Sequence, residues 1–451
     1  MRAGERLTAG RWRALDRWAE AVDLEEKRVS SSNRREPSRG EWWRKNLGDV
    51  EERSWLARYA WLLVALPVLL LATVGLFQYR RSLPLLDVTP TSVPGGIISG
   101  TPPKLAWPAA GAAALAVDGL GSLGTSGGAS PAPIASIAKM MTAYVVLHDH
   151  PLALGEQGPS VTVTSEDVAN YNRELADDQS VVAVQEGEQL SELQLLQGML
   201  IPSGNNFAEL LARWDAGSQP AFVQRMNQAA QDLGLRNTRY VDASGDLPGS
   251  VSTPQDLVTL LREAMKLPAF AQVVGQSQAK LPVAGTVTNT NLLLGTDGVI
   301  GGKTGWTDQA GHCLAFVADV QVGGRPVRVY GAVLGQSSYQ ALFTAAADLL
   351  TSAVPGLSWV QPVRQGQEVA ALRSAWGGHA AAHAGSDASL LGWPGMPLSG
   401  ALELDSRSAP VRTGERVGWL RVTLGEQAVR VPVVADGTIG PPGFGWRVIR
   451  P

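Results

Sequence analysis

The chain has little of what most sites are built from. Among 451 residues there is one cysteine, Cys313, and there are five histidines. One cysteine excludes an intramolecular disulfide framework and a thiolate-rich metal cluster; Cys313 itself reads as a small buried apolar residue in a strand. His148 and His150 fall near the end of a helical stretch, His312, His379 and His383 are scattered, and none forms an H-E-x-x-H pattern. No metal or other cofactor is therefore expected. Net charge is also scarce, at -3, so nothing in the whole-chain field calls for nucleic acid. Lysine is scarce too: it stands only at 27, 45, 104, 139, 266, 280 and 303, and arginine supplies the rest of the 38 basic residues. A lysine inside a motif carries more weight against that background.

Long apolar runs are nearly absent as well, with one exception. Tyr59 to Tyr79 contains no charged side chain and has aromatic residues at both ends, which is enough to cross a bilayer, since about 20 apolar residues span the hydrocarbon. A buried core helix rarely runs so long without a polar face, and a 58-residue leader without a small-x-small site does not resemble a cleaved signal. Arg39, Arg44, Lys45, Arg53 and Arg58 on one flank, against Arg80 and Arg81 on the other, place the N-terminus in the cytoplasm and the bulk of the chain outside.

This gives an expected order. Residues 1–58 form a charged cytoplasmic tail, 59–79 a transmembrane helix, 80–106 a Pro/Gly-rich linker, 107–355 a mixed helix-and-strand domain, and 356–451 a small β domain. Helical patterns cover Ser136 to Leu147, Ser191 to Leu200, Phe207 to Ala212, Pro254 to Met265 and Tyr339 to Leu350. Strand patterns cover Ala112 to Val117, Cys313 to Val320 and Val327 to Leu334, the last two joined at Gly323-Gly324. That mixture predicts an α+β fold, an antiparallel sheet flanked by helices. In the last region Val417 to Leu424 and Gln427 to Val434 read as a hairpin, and the Gly/Ala/His-rich stretch Trp376 to Gly385 as a loop.

Three short elements carry the chemistry: Ser136-Ile-Ala-Lys139, Ser203-Gly-Asn205 and Lys303-Thr-Gly305. Each alone is weak. Ser277-Gln-Ala-Lys280 repeats the first, and Ser31-Ser-Asn33 repeats the second inside the tail. The apolar run from Met140 to Leu147 puts Ser136 and Lys139 about one turn apart on a helix face, where a desolvated lysine can take the proton that makes a serine hydroxyl nucleophilic. Ser277 and Lys280 precede Leu281-Pro282, which leaves no helix to hold them. Structural alternatives stay open at this point: Ser136 as an N-cap, Ser203-Gly-Asn205 as a turn, Lys303-Thr-Gly305 as a hairpin entry.

The three elements are the set found in penicillin-binding proteins and class A β-lactamases. Together with Ile134-Ala-Ser-Ile-Ala-Lys-Met-Met-Thr-Ala-Tyr144, Ser252-Thr-Pro-Gln-Asp-Leu257 and Gly302-Lys-Thr-Gly-Trp-Thr-Asp-Gln-Ala-Gly-His-Cys-Leu314, the chain resembles the low-molecular-mass D-alanyl-D-alanine carboxypeptidases over about 107–350. More faintly, Ala409-Pro-Val-Arg-Thr-Gly-Glu-Arg-Val-Gly-Trp-Leu420 resembles that family's C-terminal β domain. The resemblance implies that the domain at 107–355 is a serine DD-peptidase that cleaves the terminal D-alanine of peptidoglycan stem peptides and takes β-lactams as covalent inhibitors. By the same resemblance Ser136 is the nucleophile, Lys139 its base and Ser203 a proton relay to the departing D-alanine. Asn205, Lys303, Thr304, Gly305 and Trp306 bind substrate: Lys303 lowers the proton affinity of Lys139 and attracts the terminal carboxylate, and the backbone N–H groups of Ser136 and Trp306 form the oxyanion hole.

Two features depart from the family pattern. Many relatives carry an arginine after the strand ending near Gly335, where this chain reads Gly335-Gln-Ser-Ser-Tyr339. The residues from Gly443 do not form the long amphipathic tether common in the family, so the N-terminal helix is expected to replace it. A transpeptidase or endopeptidase would use the same residues. A β-lactamase would need an added glutamate base, and Glu209 and Glu263 both sit in ordinary helical patterns; a non-enzymatic wall-binding protein would have no need of the intact reactive set.

Overall fold

The computed structural model describes residues 53–128 and 130–450. Expectations for the charged tail, including most of the basic flank and the Ser31-Ser-Asn33 repeat, fall on residues 1–52, outside the described ones. The described residues form two compact units. One runs up to Arg81 and includes the segment from Gly443; the other is Ser82–Pro442.

The first unit is built on α1 (Arg53–Arg80). Its span Tyr59–Arg80 has a mean hydropathy of 2.4 and is long and apolar enough to cross a membrane. A short helix, Phe444–Ile449, packs on the end of α1: the rings of Tyr79 and Phe444 lie 5.7 Å apart. Arg450 donates to the carbonyls of Gln78 at 2.9 Å and Arg81 at 2.7 Å, which gives partners to acceptors that a helix end leaves unpaired.

In the second unit two short strands come first, β1 (Asp87–Pro90) and β2 (Gly95–Ile97), then β3 (Ala112–Val117) and β4 (Gly121–Ser126). Helices follow: α2 (Lys139–Asp149), α3 (Ser165–Ala176), α4 (Glu192–Leu200), α5 (Asn205–Ala216), α6 (Gln219–Asp232), α7 (Pro254–Ala264) and α8 (Pro268–Val274). Next come β5 (Val299–Thr307), β6 (Gly311–Val322), β7 (Arg325–Gln336) and α9 (Tyr339–Ala353). The five strands form one antiparallel sheet in the order β5-β6-β7-β3-β4.

Strand side chains alternate between faces, and here the two faces differ in size. Ala114, Ala116, Ala315 and Ala332 face the helical layer and let helices lie close to the sheet. Leu115, Leu314, Phe316 and Val329 fill the opposite face under Leu342, Leu349 and Leu350 of α9. The sheet is thereby held between two helical layers, with β5 at its edge. An edge strand keeps one row of backbone groups free for a partner.

Five longer strands of the C-terminal part are β8 (Glu368–Arg373), β9 (His379–Ala384), β10 (Pro397–Leu404), β11 (Arg416–Leu424) and β12 (Gln427–Asp436). With β1 and β2 they make a seven-stranded sheet, β1-β8-β9-β12-β11-β10-β2. Two expectations need correction. The stretch expected as a linker contributes both edge strands of this sheet, Asp87–Pro90 on β8 and Gly95–Ile97 on β10. The stretch expected as a loop contains β9, paired on both sides; alanine is a poor strand former taken alone, but a buried position between two strands overrides that preference. The hairpin of β11 and β12 lies where expected.

Candidate active site

The polypeptide reaches α2 through a tight 3₁₀ turn, Ala135–Ala138. Ala135 sits at φ +49°, a left-handed conformation that non-glycine residues adopt only where the surroundings hold them. Gly245 supplies part of that hold: a Cβ there would stand 1.9 Å from the Ala135 carbonyl oxygen, so only glycine lets the 242–247 loop press on the turn. Ser136 is half-buried. It caps nothing, because neither the 3₁₀ turn nor α2 has a side-chain cap hydrogen bond.

Instead its hydroxyl meets Lys139, whose Nζ lies 2.7 Å from Ser136 Oγ. Lys139 is fully buried, and it also donates to Asn205 Oδ1 at 2.6 Å and to the Ser244 carbonyl at 3.0 Å. Those two oxygens can only accept. A neutral amine has two hydrogens and one lone pair, so once Lys139 loses its proton the lone pair is left facing Ser136 Oγ. Burial favours that state: it brings the Lys139 amine down to about 7, against the opposing pull of Asp242, Asp246 and Glu174.

The second serine–lysine pair is built from different elements. Ser203 lies in the turn between α4 and α5 at φ +71°, and Lys303 reaches it from β5, donating to Ser203 Oγ at 2.9 Å and to the Thr304 carbonyl at 2.8 Å. Lys303 is 1% exposed. Its amine is held well below the ordinary lysine range, first by burial and then by the charge of Lys139. Burial is the largest cause of the depression at both amines, and repulsion between two neighbouring ammonium groups disfavours charging either of them.

Asn205 opens α5. Its Nδ2 donates to Gln179 Oε1 at 3.0 Å, and Gln179 Nε2 continues to Asp246 Oδ2 at 3.0 Å. Asp246 N–H and the Ser244 hydroxyl both donate to Asp242 Oδ2 at 2.8 Å. Every member of this chain of bonds that fixes the Lys139 amine has a partner, as a buried polar network requires.

On β5, a Cβ at Gly305 would stand 2.9 Å from Ser136 N and from the Ile134 carbonyl. Glycine there lets the strand run directly against the turn that carries Ser136. The Thr304 and Thr290 hydroxyls are 2.6 Å apart. Trp306 stands 51% exposed at the strand's outer end, 5.9 Å from the His312 ring, which in turn packs edge-on against Tyr339 at 4.4 Å.

The residues singled out from sequence therefore meet at one place. Lys280 does not: it projects from a strand, Gln278–Leu281, and is exposed. Gln179, Asp242, Ser244, Gly245 and Thr290 were missed. Only Asp242-Ala-Ser-Gly245, a turn-forming string, could have drawn attention. A cavity of about 580 Å³ lined by Tyr144, His148, Asp149 and Arg225 lies at the opposite end of α2 from Lys139, and its lining has no serine–lysine pair.

Comparison with known proteins agrees with this geometry. The family model described as D-alanyl-D-alanine carboxypeptidase matches residues 125–338. A D-alanyl-D-alanine carboxypeptidase of a Streptomyces species is 35% identical over 235 residues, covering 48% of this chain and 76% of the relative. A D-alanyl-D-alanine endopeptidase of Pseudomonas aeruginosa is 36% identical over 192 residues, 41% of this chain. A D-alanyl-D-alanine carboxypeptidase of Mycobacterium tuberculosis is 37% identical over 200 residues, 43% of this chain. The chain spans 58% and 64% of the length of these last two relatives. Among solved structures, penicillin binding protein 5 from Haemophilus influenzae shares the fold, with a TM-score of 0.54 and 23% identity over 76% of this chain and all of that one.

Proposed function

Because the chain belongs to the D-alanyl-D-alanine carboxypeptidase family, we propose that it removes the terminal D-alanine from peptidoglycan pentapeptides through an acyl-enzyme on Ser136. The observation that carries this reading is the set of contacts at Lys139, where two fixed acceptors leave the amine's lone pair to Ser136.

In the proposed sequence Ser136 Oγ attacks the carbonyl between the two D-alanines, and its proton passes to Lys139 Nζ. The tetrahedral oxygen is received by the backbone N–H groups of Ser136 and Trp306. The close run of β5 against the nucleophile's turn supports that pairing. The proton held on Lys139 then reaches the leaving amine by relay through the Ser203 hydroxyl, which gives one proton and regains one, an assignment supported by the place of Ser203 against Lys303. Lys303 and Thr304 receive the terminal carboxylate, since the chain reads Gly335-Gln-Ser-Ser-Tyr339 where relatives carry an arginine, while Asn205 holds the substrate amide and steadies Lys139. Gly305 and Trp306 shape the wall along which the peptide lies. Water hydrolyses the ester to complete turnover. β-Lactams would acylate the same hydroxyl.

We place α1 in the cell membrane, spanning once through 59–79 with the N-terminus cytoplasmic and the peptidase on the wall side. Its length and apolarity support the span, and the arginine-rich N-terminal flank supports the direction.

The test is release of D-alanine from a synthetic pentapeptide by the detergent-solubilised full chain and by Ser136→Ala. Release that disappears in the variant supports the reading; release that persists in it overturns it. Because the Pseudomonas relative is named an endopeptidase, a cross-linked peptide dimer is the second substrate to assay. Cleavage of the dimer alone would replace carboxypeptidase with endopeptidase.

A further inference from the structure

Two carboxyl groups lie behind the base. α3 and α5 pack side by side, pinned by Asp167 near the start of α3 and Arg213 near the end of α5, whose guanidinium donates to the carboxylate at 2.7 and 3.1 Å. The helices run antiparallel from that pin. Two turns further along α3 and one turn back along α5, Glu174 meets Glu209. Glu209 is four residues after Asn205 on the same helix, one turn beneath the amide that accepts from Lys139. The segment after α3 closes the arrangement: Gln179 N–H donates to the Glu174 carbonyl at 2.9 Å, and Asn205 N–H donates to the Ser180 carbonyl at 2.7 Å.

Glu174 is 5% exposed, and its Oε2 has no hydrogen-bond donor. A buried carboxylate in that position is expensive unless paired. Its carboxyl neighbour is Glu209, and two carboxyls can bond only while one keeps its proton. The charged groups around them are Arg173 on α3, Lys139 on α2, and Asp242 and Asp246 on the loop.

We propose that Glu174 and Glu209 are positioning residues that hold one proton between them and set how much negative charge faces the amine of Lys139. The inference rests on the acylation chemistry proposed above. At neutral pH the pair carries a single negative charge. As pH rises its remaining proton passes to solvent, the charge becomes −2, and the Lys139 ammonium is favoured again. Burial and Glu209 push the Glu174 carboxyl up, and burial brings the Lys139 amine down, so that the two titrate over overlapping ranges. The two titrations therefore oppose each other, and the rise of acylation with pH is drawn out.

The experiment is the second-order rate of labelling by a fluorescent penicillin, measured across pH on the full chain, Glu174→Gln and Glu209→Gln. In Glu209→Gln the Glu174 carboxyl loses the neighbour that helps to raise it and ionises at lower pH, so the drawn-out part of the rise moves to lower pH. Glu174→Gln keeps one fixed charge, so the midpoint stays and the drawn-out alkaline part becomes a simple single titration. Profiles that keep the wild-type shape and only scale in height, in whichever variant folds, overturn the inference while leaving acylation intact. Absence of labelling in the unmodified chain at every pH overturns the proposed acylation instead.

Discussion

The two parts of the larger unit fill their interiors with different material. Around Ser136 the buried set includes Lys139, Lys303, Ser203, Asn205, Asn206, Thr304 and Glu174, and the backbone holds two non-glycine residues at positive φ, Ala135 and Ser203. From 357 to 442 the buried side chains are valine, leucine, alanine and a few others of the same kind, with Ser374 the only buried polar one among the described residues. A buried ammonium is disfavoured by several kcal/mol unless its neighbours compensate, so the first region carries arrangements that stability alone would not select. The interior of the second region holds what packing alone would select. Local departures from ordinary folding physics thus mark the site more sharply than any one motif does.

Substitutions can break that contrast, and the largest effect belongs to the base. Lys139→Met should lower the rate of penicillin acylation by about 10²–10⁴-fold, the usual contribution of a general base, while the melting temperature changes little, because the loss of a buried amine offsets the acceptors at Asn205 and Ser244 that are left unpaired. A fall in melting temperature with acylation preserved would reverse the assignment of the two regions. Next is Leu420→Ala in β11, fully buried in the C-terminal core, which should destabilise by about 2–5 kcal/mol in denaturant titrations. Acylation per folded molecule should not change.

Solution pH gives a smaller effect. With the Lys139 amine at about 7, the reactive neutral form is lost on acidification, so acylation should fall roughly tenfold for each pH unit well below that value. A rate flat through that range would show that Lys139 is not the titrating base. Smallest is Arg262→Ala. Its guanidinium joins α7 to Glu426 at 2.7 Å in the turn between β11 and β12, but the pair is partly exposed, and its loss should change stability by no more than ~1 kcal/mol.

Much of this organisation could be read from residues, and the failures have physical reasons. The hairpin strands β6 and β7 were legible because their apolar residues are continuous and bounded by turn glycines. β9 was not, because alanine and histidine carry little strand preference and its place depends on neighbours distant in sequence. β1 and β2 hid inside a Pro/Gly-rich stretch for the same reason: short edge strands are defined by what they pair with. In the site, the side chains with chemical labels were found at once. Gln179 and Ser244 act through hydrogen bonds to residues tens of positions away, which no local pattern encodes, while Asp242 braces its own loop through near neighbours. Glu209 looked like an ordinary helix-face residue until α3 brought Glu174 against it.

On the proposed reading the turn at Ala135–Ala138 presents a nucleophile and not a helix cap. Intact mass of the full chain after exposure to penicillin, followed by peptide mapping, decides between the two. One added penicilloyl group is expected, located on Ser136 and absent in Ser136→Ala. An adduct on any other residue, or one that survives the substitution, would contradict it.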